Sequence, residues 1–356
     1  MKKYLVILAA SSLLVFASCN KEKNQAYTVE GNKIVLNVAG ELPNDNAKQT
    51  WSGERLRIFF NSGDQINING TDYSLSCYPS NIPGTSTSVS NYARVTCDLA
   101  SDYHLFYPAE AYTVTDGDNE GEYVATVNMP THVTLIPNLA MNRFSTMNYV
   151  PVWPLYTYLN EETMNSTLST TDDGARFELK NAVALIAPAV IYGQEWAEVV
   201  FGGTYATPED CPTLYFTDVV ISANEKLTGA ATLNTEDATA PYIVMDNTVA
   251  EGSMDKVYCH LDSPVAITGL ATSHVMLGNV AAPVMPAGTS FQVNLYFYVL
   301  DAAGTPTYYK YQSRNGQNVM PFRRSYRDFF DFNFQTIQGT NNGVVITSQA
   351  TPFTIE

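Results

Sequence analysis

The feature that most restricts this chain is a period of two. Apolar side chains recur at every second residue in short runs, and each run stops at residues that favour turns. Ile66 and Ile68 alternate up to Asn69-Gly70, and Tyr73, Leu75 and Cys77 alternate away from it. That is the pattern of a tight hairpin whose central residues take positive φ. Val95, Cys97 and Leu99 repeat it, and residues 34–38, 56–60, 104–107 and 123–127 supply further strand-like runs. Residues 177–190, 214–222 and 326–334 do the same in the second half. Residues 226–233 read as a turn from the 214–222 strand into its partner, and residues 291–300 are answered across Gly304 by 308–311. No stretch holds a 3.6-residue apolar period beyond a few turns; only 138–149 and 160–170 suggest short helical pieces. Runs rich in Val, Thr, Tyr and Phe, bounded by Gly, Pro, Asn and Asp, predict an all-β fold.

At 356 residues the chain exceeds what one compact core usually organises, so two domains are expected. Many short strands at regular spacing predict two β-sandwiches in tandem. The pattern becomes irregular between Pro130 and Asp173, through Pro137, Pro151, Pro154 and the Ser/Thr-rich residues 166–171, which places the boundary near its end. The expected organisation is a leader at 1–18, a polar tether at 19–26, an N-terminal sandwich at 27–175, a C-terminal sandwich at 176–336, and an extension at 337–356. The Gly/Asn-rich residues 338–343 lead that extension to Val344, Val345, Ile346, Phe353 and Ile355.

Lys2 and Lys3, the apolar residues 4–16 and the small pair Ala17-Ser18 before Cys19 form a bacterial lipoprotein leader, with Cys19 as the lipid-attachment residue. The apolar run is too short to span a bilayer, which takes roughly 20 residues. Acyl chains would then be the membrane attachment. Losing Lys2 and Lys3 with the leader takes the formal charge from −16 to −18, which argues against nucleic acid as a partner and suits solubility at a crowded surface. The remaining cysteines, Cys77, Cys97, Cys211 and Cys259, are even in number. In an oxidising periplasm, bridges Cys77–Cys97 and Cys211–Cys259 would each close a loop within one domain, and buried free thiols are the other reading.

The chain holds no H-E-x-x-H, G-x-S-x-G, phosphate loop or C-x-x-C, so it reads as a non-enzyme that needs no cofactor. The histidines, His104, His132, His260 and His274, are scattered, and no metal site is indicated. Residues 116–121 open like a calcium loop, but Val127 stands at the twelfth position where a bidentate Glu is needed, so an acidic hairpin tip is the better reading. Trp51, Trp153, Trp196 and the tyrosines could stack on sugars, or form cross-strand packing pairs.

In their order, several segments resemble the fimbrillin family, the lipoprotein pilins of Gram-negative anaerobes. These are the first strand followed by residues 63–70, His104-Leu105-Phe106-Tyr107-Pro108-Ala109, Phe177-Glu178-Leu179-Lys180-Asn181, residues 219–229, and Phe322-Arg323-Arg324-Ser325-Tyr326. The resemblance implies two transthyretin-like sandwiches, export to the outer membrane and cell surface, proteolytic removal of the first strand, and polymerisation by strand exchange with other fimbrial subunits. It implies cleavage after Arg55 or Arg57, although the family's loop arginine is replaced near Lys48 and both arginines also read as ordinary exposed charges. The tail, with Val344, Val345, Ile346, Phe353 and Ile355, is the candidate donor strand; packing as an edge strand of its own domain is the alternative. The expected function is a structural subunit of an adhesive fimbria, with a host protein or glycan as receptor. A surface glycan-binding lipoprotein is the alternative.

Overall fold

The computed structural model describes residues 26–41, 44–45, 59–79, 85–135, 154–167, 175–268, 275–312, 316–317, 326–334, 345–349 and 353. Within them the chain is almost entirely β, arranged as two packed assemblies with separate cores.

The first assembly is built on a nine-stranded sheet. Its path runs through β6 (Thr71–Ser74), β5 (Gln65–Ile68), β10 (Tyr103–Tyr107), β14 (Leu155–Leu159), β15 (Phe177–Asn181), β2 (Lys33–Gly40), β9 (Tyr92–Asp98) and β7 (Ser76–Cys77), and β1 (Tyr27–Glu30) pairs with β2. The β5–β6 hairpin turns at Asn69 (φ 51°) and Gly70 (φ 79°), the two positive values that a twist-compatible two-residue turn requires. Tyr73 on β6 donates to Asp98 on β9 at 3.2 Å, so strands near opposite ends of the path meet and the sheet closes on itself. Alternate side chains, among them Ile34, Leu36, Val38, Val95, Leu105 and Leu179, fill the interior and are essentially excluded from water. Each such side chain contributes about 1.5–3 kcal/mol through burial.

A four-stranded sheet, β11 (Tyr112–Asp116), β12 (Tyr123–Met129), β18 (Gly229–Asn234) and β19 (Tyr242–Met245), covers the outside of β10 and β14. Phe106 and Tyr112 meet across this junction with ring centroids 5.5 Å apart, and Ala125, Val127, Ala231, Leu233 and Ile243 belong to the same core. A short pair, β4 (Phe60–Asn61) with β8 (Val89–Ser90), adds Phe60 to it.

The second assembly sets a seven-stranded sheet against a five-stranded one. The first has the path β13 (His132–Leu135), β20 (Asp255–Ile267), β17 (Leu214–Ala223), β23 (Ser290–Leu300), β24 (Pro306–Gln312) and β27 (Val345–Gln349), with β25 (Gly316–Gln317) on β23. The second has the path β21 (Val275–Met276), β16 (Ala184–Tyr192), β26 (Tyr326–Phe334) and β3 (Asn44–Asp45), with β22 (Val280–Ala282) on β16. The apolar run 177–190 thus serves both cores, turning from one to the other between Ala182 and Leu185.

The expected boundary near residue 175 is corrected by this topology, because strands cross it in both directions. β18 and β19 lie in the first assembly, while β3 and β13 lie in the second. Residues 226–233 accordingly do not lead into a partner of β17, whose neighbours are β20 and β23. The cause is local: Asp255 accepts hydrogen bonds from the Leu227 and Thr228 amides and the Thr228 hydroxyl at 2.8–3.0 Å, and pairs with Lys226 at 3.0 Å. That cage turns the chain out of the sheet toward β12.

Among the described residues two short α-helices stand outside the sheets. α1 (Glu161–Ser166) falls where a helical piece is expected; the Asn160 side chain accepts from the Thr163 amide, and Met164 faces the core. α2 (Gln194–Phe201) is not foreseen, because two turns are too few for the 3.6-residue period to register. Its Trp196 and Ala197 are buried, with Trp196 edge-on to Tyr192 at 5.8 Å. The expected piece at 138–149 lies outside the described residues. Among those residues no helix is long and apolar enough to cross a membrane.

Candidate functional site

The described part of the tail, residues 345–349 and 353, lies on the second assembly. β27 runs antiparallel to β24, from Gln312 opposite Val345 to Tyr308 opposite Gln349, and forms the rim of the seven-stranded sheet. Val345 and Ile346 of the expected donor set therefore sit in an edge strand of their own chain, which is the alternative reading of the tail. Phe353 continues onto the outward face of the same sheet. Its ring stacks on Tyr296 at 4.0 Å and lies 6.5 Å from Tyr258. Val344 and Ile355 lie outside the described residues.

A bulge creates the floor beneath Phe353. The pairing of β17 with both neighbours shifts between Phe216 and Asp218. Strict alternation would point both residues into the core; the extra residue reverses the parity, so Phe216 and Val219 face inward and Asp218 and Val220 outward. Asp218 then meets His260 at 2.7 Å, while Tyr296 stands opposite it on β23. Burial, with the Asp218 charge and Tyr258 adding to it, holds the Tyr296 hydroxyl above its ordinary pKa. The face continues along β23 and β24 with Tyr298 stacked on Tyr215 at 4.9 Å, and Lys310 lies 5.9 Å from the Tyr296 ring.

Although these residues face outward, they are scarcely wetted. Asp218 is 5% exposed, Ser222 2%, Asn294 7% and Tyr296 7%. Two polar atoms among them, Ser222 Oγ and Asn294 Oδ1, have no hydrogen-bond partner among the described residues. Such atoms are uncommon in native interiors and each calls for a cause.

β2, the expected removable strand, is held on both sides. It pairs with β9 along seven residues, and with β1 and β15 on its other edge. Ile34, Leu36 and Val38 place its inward side chains at the centre of the first core. Cys19, Lys48, Arg55 and Arg57 lie outside the described residues.

The expected disulfides are corrected, since Cys77, Cys97, Cys211 and Cys259 are free and buried. Cys77 faces Ala93 and Cys97 faces Ile34, which puts them four residues apart along β9, about 13 Å at strand rise and beyond disulfide reach. Cys259 faces Val219, whereas Cys211 precedes Leu214, the first residue of β17. Their separation along the strand is of the same order. Burial pushes the Cys97 thiol up to about 12, with Asp98 adding to it.

Of the remaining sequence features, His132 reaches the outward face through Tyr258 and the others lie apart from it. Residues 116–121 form the tip of the β11–β12 hairpin, closed by the Gly117 amide donating to the Glu122 carbonyl at 2.8 Å. His104 is enclosed between the nine-stranded and four-stranded sheets, and His132 stacks on Tyr258 at 5.2 Å. Among the described residues no group of three or more His, Cys, Asp or Glu side chains could hold a metal ion. The outward face around Asp218 is what the sequence did not announce. A bulge leaves no mark in an alternating pattern, and the only available hint was the density of tyrosines in residues 296–311.

No protein-family model matches the chain, and no curated protein matches it. Among solved structures, a proposed cell adhesion protein from Bacteroides fragilis NCTC 9343 is similar over 89% of this chain and 96% of its own, at 12% identity and a TM-score of 0.35. A proposed adhesin from Bacteroides ovatus ATCC 8483 is similar over 69% of this chain and 75% of its own, at 11% identity and a TM-score of 0.22.

Proposed function

We propose that the chain is a structural subunit of a cell-surface fimbria, exported as a lipoprotein through Cys19 and assembled by strand exchange. The observation that carries this reading is the contrast between two strands. β2 fills a slot paired on both sides, whereas among the described residues β27 is an edge strand with one ladder, the one with β24. Removing β2 would bare two rows of backbone donors and acceptors, on β9 and β15, beside Ala93, Val95, Phe177 and Leu179, an arrangement that must be refilled. An extended segment restores the ladder through its main chain and fills the core positions with alternate side chains. The tail is a segment of that kind, and leaving its present place costs it the β24 ladder and the stacking of Phe353 on Tyr296. A cut at Arg55 or Arg57 would release β1, β2 and β3 together, because all three precede it. This also vacates the rim position of β3 beside β26 in the second assembly.

Deletion of residues 339–356 tests the proposal. The shortened chain is expected to stay folded and monomeric, with a nearly unchanged melting temperature, and to lose the ladder of detergent-resistant oligomers. Unfolding of the shortened chain, or oligomers that persist without the tail, would overturn the assignment.

A further inference from the structure

The floor under Phe353 combines three features that a merely packed surface does not need. The rings of Tyr296 and Tyr258 stand on β23 and β20, the two strands flanking β17, so Phe353 lies above Asp218 and Val220 between them. Asp218 is a nearly buried carboxylate held by one histidine nitrogen. Asn294 shares a cross-strand row with Val220 and Tyr258, Ser222 is two residues along β17, and each presents an orphaned oxygen. A phenyl ring satisfies the aromatic faces and leaves these oxygens without partners, a lasting cost for buried polar atoms. Phe353 is therefore a partial match to the surface it covers.

We propose that this face is a saccharide-binding site that Phe353 occupies and closes. A sugar ring offers what the floor lacks on both counts. Its apolar C–H face stacks on tyrosine, and its hydroxyls donate to Asp218 and Asn294 Oδ1 and either donate to or accept from Ser222. On this face His260 Nδ1 lies 2.7 Å from Asp218, Lys310 stands 5.9 Å from the Tyr296 ring, and Lys256 lies opposite Ser222. A neutral glycan places no charge beside the Asp218 carboxylate. An anionic sugar would meet the Asp218 carboxylate. The inference rests on the assembly reading at one point, since exchange of the tail is what lifts Phe353 and opens the site. Glycan binding would then belong to the assembled subunit and be suppressed in the free one.

Native electrophoresis of the full chain through gels carrying mannan, xylan, starch or galactan tests this. The unaltered chain is expected to run with little retardation. Phe353→Ala should bind one of the polysaccharides about tenfold more tightly, because an occluded site loses affinity in proportion to the closed fraction. Adding Asn294→Leu to Phe353→Ala should abolish the gain. Three results would each overturn the proposal: no retardation of Phe353→Ala on any gel, equal retardation with and without Asn294→Leu, or loss of cooperative melting in Phe353→Ala, which would make Phe353 a core residue. If deleting residues 339–356 ends oligomer formation while Phe353→Ala gains no binding, the assembly reading stands and the site alone is removed.

Discussion

At the scale of single residues, His104 shows how a side chain that looks functional in isolation is claimed by packing. Its Nδ1 lies 2.8 Å from Tyr156 Oη, and the rings of Tyr158 and Tyr123 stand 4.7 and 5.2 Å away. Burial pulls its pKa below the ordinary 6.5, against a smaller upward pull from Asp102. The folded state therefore disfavours the protonated ring, and the unfolded chain binds more protons as acid is added. Stability from this residue is fully present above about pH 6.5 and is lost as pH falls through the depressed folded value. The melting temperature of the unaltered chain should drop from pH 7.5 to pH 5 more steeply than that of His104→Gln, and parallel curves would refute the assignment. The residue's structural role was legible from its position inside an apolar strand. Asp218 was not: alternation counted from Phe216 sends it into the core, and only the bulge sends it out.

Among the elements, hairpins closed by their own turn residues could be read directly. Asn69-Gly70 and the turn at Gly304 lie where they were expected, since the chemistry of a two-residue or short turn is contained in the sequence it occupies. Strands that pair with distant partners could be recognised as strands but not assigned to a sheet. The alternation in residues 229–234 says which side is buried, and nothing in it says that β12, rather than β17, is the neighbour. β13 is the clearest case, because it runs parallel to β20 and plugs Leu135 into the second core from the first half of the chain. Gly278 permits that insertion. A Cβ there would stand 3.0 Å from both Leu135 Cβ and Leu135 Cδ1, and its φ of 153° is one that other residues rarely adopt. Gly278→Ala should therefore destabilise the protein by about 1–3 kcal/mol, the usual range for overpacking. Chemical denaturation measures this, and Gly278→Ala should cost less in a Leu135→Ala background than in the unaltered chain only if the two residues collide.

For the molecule as a whole, crossing strands change what the two assemblies are. Two tandem sandwiches joined by a linker would unfold separately, each with its own core. Here the first core needs Ala231, Leu233 and Ile243 from β18 and β19, and the second needs Val133 and Leu135 from β13. Neither can close without residues from the other side of position 175. The β2–β3 and β15–β16 segments also pass from one core to the other along the chain. Losing either assembly would bare the strands it borrows and expose the faces they cover, so partial unfolding has no stable stopping point. A single calorimetric transition is the expected result, with van't Hoff and calorimetric enthalpies nearly equal, as for a cooperative unit. A fragment of residues 27–181 keeps β15 but lacks β18 and β19, leaving β12 an open edge and Phe106 and Tyr112 under half a cover. It should be unfolded or aggregated at temperatures where the intact chain is native. Residues 229–245 supplied as a separate peptide should restore its structure at least in part, because they carry both the missing ladder and its core side chains. Two resolved calorimetric transitions, or a 27–181 fragment that melts cooperatively by itself, would show that the crossing strands decorate two independent domains and do not lock them together.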